Sequence, residues 1–112
     1  MIAPEDLTKL LHILESYRGC RAKLWRYLLS HKQLHIQLIR RSEEQQYRAE
    51  GRCTDLVCYD CTRIEVQTSW KNANILIQEM ERPNYVVVDE KHGLFVECKL
   101  IGIYPNVTKP VV

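Results

Sequence analysis

Apolar positions near the start of the chain recur on one side of a helix. Leu7, Leu10, Leu11, Leu14 and Tyr17 fall at i, i+3, i+4, i+7 and i+10, the spacing of a single helical stripe. Pro4 suits a first helical position, Glu5 and Asp6 favour the positive end of the helix dipole, and Gly19 suits the residue that ends the last turn. A helix is predicted over residues 4–18. Further on the period falls to two. Leu34-His35-Ile36-Gln37-Leu38-Ile39 alternates as a half-buried strand does, with His35 on its polar side, and Ser30-His31-Lys32-Gln33 reads as a polar turn before it. Residues 22–29 fit helix or strand by their own pattern, and the turn and strand that follow decide for a β-hairpin.

The polar stretch 41–52 has no apolar period and reads as a loop. A strand is expected over 54–61, continuing through Ile64 and Val66 after a kink near Cys61-Thr62, and another over 74–80. Tyr85–Asp89 and Leu94–Ile101, joined by Glu90-Lys91-His92-Gly93, form a second hairpin. Tyr104-Pro105-Asn106 is expected to break any strand, so the acceptor-like Asn106-Val107-Thr108 reads as a turn. These patterns give an α+β fold, one N-terminal helix packed on a mostly antiparallel meander sheet of about six strands. At 112 residues the expectation is a single domain, 1–112.

Composition narrows the class without naming an activity. Hydrophobic residues make up 46% and charged residues 27%, with four Gly and four Pro, which excludes collagen-like and low-complexity chains. No apolar run is long enough to cross a membrane as a helix, and no apolar segment of signal-peptide type opens the chain. The odd set of five cysteines is expected to stay reduced, which suits a cytoplasmic protein.

Charge is less even than the net +2 implies. Between residues 18 and 41 stand seven bases and no acid: Arg18, Arg21, Lys23, Arg26, Lys32, Arg40 and Arg41. Such a segment creates a local positive field. Tyr17, Trp25, Tyr27, His31 and His35 interleave with it, so a nucleic acid partner is conceivable, with aromatics stacking on bases and cations on phosphates. An acidic protein would use the same patch. Trp70 either plugs the edge of the core or, if exposed, marks an interface.

Two motifs suggest chemistry. Cys58 and Cys61 have C-x2-C spacing, and with Cys53 and one of Cys98, His92 or His35 they could supply tetrahedral zinc ligands. Buried core thiols are the simpler reading. The run Arg82-Pro83-Asn84-Tyr85-Val86-Val87-Val88-Asp89, followed by Leu94-Phe95-Val96-Glu97-Cys98-Lys99, resembles the PD…(D/E)xK pattern of a large nuclease superfamily. The resemblance implies a Mg²⁺ site shared by Asp89 and Glu97, with Lys99 helping to activate water. Asn84 stands where that pattern has an acid, and thirteen residues follow Lys99, fewer than the superfamily's next helix and strand need.

The chain is therefore expected to bind rather than catalyse. The favoured reading is a small cytoplasmic protein-interaction module without a cofactor, of the inhibitory or immunity-like kind by analogy of fold alone. Its partner would be another protein or a second copy as a homodimer, and no membrane. Nucleic-acid binding through 18–41, the degenerate nuclease hairpin and zinc binding remain the alternatives.

Overall fold

The computed structural model describes residues 7–30, 32–80 and 84–108, with side chains as far as Pro105. The first helix, α1, spans Leu7–Glu15 and turns Leu10 and Leu14 inward, with Tyr17 buried just beyond. Residues 4–6 of the predicted helix lie outside the described residues. Two turns lead to Gly19, whose φ of +83° suits glycine alone without strain, and its N–H donates to the Ala73 carbonyl at 2.7 Å.

Nine strands follow among the described residues: β1 Cys20–Leu28, β2 Gln33–Ile39, β3 Arg52–Tyr59, β4 Arg63–Glu65, β5 Ser69–Ala73, β6 Leu76–Glu79, β7 Tyr85–Asp89, β8 Leu94–Cys98 and β9 Leu100–Thr108. They form two antiparallel sheets, ordered β5-β1-β2-β3-β9 and β4-β8-β7-β6. The α+β class is as predicted, but nine strands in two sheets replace a six-strand meander. Two expected strands each divide where the chain passes from one sheet to the other, and β5 is a strand the pattern did not predict, placed just before the expected strand over 74–80. The first divides at Asp60–Thr62, the predicted kink, and the chain passes from β5 to β6 at Asn74-Ile75. The second divides at Lys99, whose N–H donates to the Tyr59 carbonyl.

Two further expectations are corrected. Residues 41–52 are not a loop: a 3-10 turn over Arg41–Glu43 leads into α2, Glu44–Glu50, which ends at Gly51 with φ +71°. The strand also runs through Pro105. Asp55 pairs with Tyr104 and Cys53 with Val107, so the β9 side carries an extra residue, and that bulge spares proline a ladder bond it cannot make.

Residues paired across neighbouring strands share a face, so the registers assign the core. Leu34, Ile36, Leu38, Leu56, Cys58, Ile101 and Ile103 of the five-stranded sheet meet Tyr85, Val87, Leu94, Val96 and Cys98 of the other in one buried cluster with α1. Trp70, 6% exposed, is part of it and donates from Nε1 to Asp89 Oδ2 at 3.0 Å, tying β5 to β7 across the two sheets. No helix among the described residues is long and apolar enough to cross a membrane.

Candidate interaction site

The outer face of the five-stranded sheet is the unusual one. On β2 it carries His35, Gln37 and Ile39, all buried. The two polar side chains there are each bonded through one atom, while His35 Nε2 and Gln37 Nε2 have no hydrogen-bond partner among the described residues. His35 Nδ1 lies 3.1 Å from Asp55 Oδ2, and Gln37 Oε1 accepts from the Tyr47 hydroxyl at 2.9 Å. The second bond brings α2 down over the sheet. His35 was expected on the solvated side of its strand; α2 and the neighbouring strands cover that side instead.

Beside this layer lies a basic stripe. Arg21 pairs with Ile39, Lys23 with Gln37 and Arg26 with His35, so all three bases of β1 share the outer face. Simple alternation would set Lys23 and Arg26 on opposite faces. The register shift between Leu24 and Arg26 leaves Trp25 as an extra residue and brings Arg26 round. On the edge strand β5, Ser69 pairs with Lys23, and Lys71 follows it on the same face by parity.

Arg21, Arg41 and Lys71, with Glu44, Ile39 and Asn72, line a cleft of about 300 Å³. Arg21 holds Glu44 through two bonds, 2.8 Å from Nε and 3.0 Å from Nη2, and its guanidinium lies 5.5 Å from the Tyr47 ring centre. The Arg21 hydrogen bonds lower the Glu44 pKa, and the same contact raises that of Arg21. Among the described residues no carboxylate lies within ion-pair distance of Lys23, Arg26, Arg41 or Lys71. Such a set concentrates positive charge on this face.

Not every predicted base belongs to the stripe. Arg40 lies over the Tyr17 ring at 4.6 Å and pairs with Glu43 at 3.1 Å. Lys32 sits at the opposite end of the hairpin, and Arg18 stands beside Leu11 and Leu14. Trp70 is buried and hydrogen-bonded, so it offers no surface to a partner. Lys71 and Glu44 went unrecognised in the sequence; the alternation of Ser69 and Lys71 about the buried Trp70 was the signal for the first, and Gly51 as a helix stop for the second.

The nuclease geometry does not form. Asp89 pairs with Leu94 on the core face, whereas Glu97 pairs with Val86 on the opposite face of the same sheet. Asp89 accepts from Trp70 and from the Asn74 N–H at 2.9 Å, and lies 2.9 Å from His92 Nδ1. Glu97 accepts from the Thr62 hydroxyl at 2.9 Å, and Lys99 is exposed past the end of β8.

The zinc set does not form either. Cys58, Cys61 and Cys98 gather in the core, Cys53 lies away from them on β3, and His35 and His92 are committed to Asp55 and Asp89. Among the described residues no three His, Cys, Asp or Glu side chains are placed to hold a metal ion. The Cys98 contact, followed by burial, pushes the Cys58 thiol well up, and burial raises Cys61 to about 12, so both are neutral. Comparison with known proteins finds no matching family model, no matching curated protein and no matching solved structure, and the basic face must speak for itself.

Proposed function

We propose that this chain is a non-catalytic interaction module that docks an acidic protein surface on the outer face of β1 and β5. The observation that carries the reading is the alignment of Arg21, Lys23, Arg26 and Lys71 on one face beside Arg41, with Glu44 the one carboxylate paired there among the described residues. Like charges held side by side repel, and an acidic partner relieves that repulsion while steering its own approach. The cleft between Arg21, Arg41 and Lys71 has room for a carboxylate side chain of that partner. Five free, buried thiols support a reducing, cytoplasmic setting. A homodimer through this face is disfavoured, because twofold symmetry would set cations against cations.

The test is affinity capture with nuclease treatment, followed by titration of the purified partner. A single acidic protein should be retained, and Lys23→Glu with Arg26→Glu should weaken it roughly tenfold or more, with a steep salt dependence in the wild type. Retention of RNA or DNA fragments, or full affinity in the charge-reversed variant, would replace this reading.

A further inference from the structure

The same outer face carries a second and larger cleft, about 590 Å³, at the turn end of the β1–β2 hairpin. The two clefts share no lining residue, and they lie toward opposite ends of the β1–β2 hairpin. One wall is aromatic, formed by Tyr59 of β3 and Tyr104 of β9. Gly102 explains how that wall is built. A Cβ there would stand 2.8 Å from Tyr104 Oη and 2.9 Å from the ring, so only glycine leaves the ring free to lie back along β9. In that pose the Tyr104 hydroxyl meets the Tyr59 hydroxyl at 2.7 Å, and the two rings become one fixed surface.

The rim is strained. Among the described residues three non-glycine residues have positive φ, and two of them, Lys32 at +49° and Asp60 at +52°, stand on this cleft. Left-handed backbone at such residues costs stability and persists where the surroundings impose it. Here the imposing contact is the Cys61 N–H, which donates to the Lys32 carbonyl at 2.9 Å and holds the two turns against each other. Glycine at either position would fold with less strain but would remove the ammonium or the carboxylate from the cleft.

We propose that this cleft binds a saccharide ring. A tyrosine face packs against the C–H face of a sugar, and the phenolic edge remains available for a polar contact. Lys32 donates, Asp60 accepts and Gln33 does both, an assortment that matches the neighbouring hydroxyls of one ring. The opposite charges of Lys32 and Asp60 offset each other, so the site lacks the positive field a phosphorylated ligand needs. Leu100 is the one aliphatic side chain in the lining, too little to hold a lipid tail. The volume falls within the range of small-molecule sites, roughly 300 to 1,000 Å³.

The test follows backbone amide shifts of the whole chain by NMR during titration with methyl glucoside, methyl galactoside and N-acetylglucosamine, with adenosine and inorganic phosphate as controls. Saturable shifts at Tyr59, Asp60, Gly102 and Tyr104 are expected with at least one sugar. They should vanish in Asp60→Gly, weaken roughly tenfold in Tyr104→Ala, and persist in the variant reversed at Lys23 and Arg26. Asp60→Gly should also unfold at a higher temperature, which separates lost binding from lost structure and keeps the test decisive if Tyr104→Ala does not fold. The proposal is overturned if no sugar gives saturable shifts, if adenosine or phosphate binds there instead, or if sugar binding survives Asp60→Gly.

Discussion

Asp89 shows how one side chain can change meaning between sequence and structure. Its run, Tyr85-Val86-Val87-Val88-Asp89, is apolar at four consecutive positions, so no alternation tells which face the carboxylate takes. The pairing with Leu94 turns it inward, where it accepts from Trp70 Nε1 and the Asn74 N–H instead of facing a metal with Glu97. Asp89→Ala leaves the buried Trp70 donor unmatched and removes the acceptor of the part-buried Asn74 N–H, and should cost about 2 kcal/mol of stability. Asp89→Asn keeps an acceptor oxygen and should cost roughly 1 kcal/mol. Denaturant unfolding measures both, and loss of the Trp70 bond should shift tryptophan emission. Equal losses in the two variants would show that charge, not acceptance, is what the site requires. For Trp70 the sequence left a plug at the edge of the core and an exposed interface residue both open, and its burial with the bond to Asp89 decides for the first.

Helices and strands were legible where pattern and packing agree. The α1 stripe put Leu10, Leu14 and Tyr17 in the core, and both predicted hairpins exist as β1–β2 and β7–β8. What the pattern could not carry is the passage between sheets, since a strand that changes sheet keeps its apolar alternation through the corner. The α2 segment was illegible for another reason. Among its residues, Tyr47 meets the sheet through a hydroxyl and Glu44 through Arg21, so no apolar stripe is needed. That dependence on polar contacts makes α2 sensitive to acid. The Glu44 carboxyl is held below its ordinary pKa by Arg21, so its contribution is complete at neutral pH and is lost as pH falls through the lowered value. Both side chains are nearly a third exposed, and solvent screening limits the pair to roughly 1 kcal/mol. Amide shifts of residues 44–50 should therefore report release of α2 on acidification before the sheets unfold. Glu44→Gln should show the released shifts already at neutral pH, and a flat pH response in the wild type would refute the assignment.

The chain passes between the two sheets four times and the sheets share one core, and this shapes how the molecule comes apart. Cys58 stands on the inner face of the five-stranded sheet and Cys98 on that of the four-stranded sheet, and both are fully buried in the shared core. Cys61 lies in the corner between β3 and β4 and donates to the Cys58 carbonyl at 3.4 Å. Reaching any of the three from solvent requires parting the sheets, and the same event breaks the Trp70–Asp89 bond. Unfolding should therefore be one cooperative transition, as small single cores generally show. Neutral, buried thiols react slowly because the thiolate is the reactive form. A disulfide reagent added to native protein should leave Cys58, Cys61 and Cys98 unmodified, and in denaturant all three should become reactive at the midpoint at which tryptophan emission changes. Mass spectrometry of the labelled peptides assigns each cysteine. Modification of Cys98 well before Cys58, with Trp70 still buried, would mean that the four-stranded sheet opens alone and that the shared core does not couple the two.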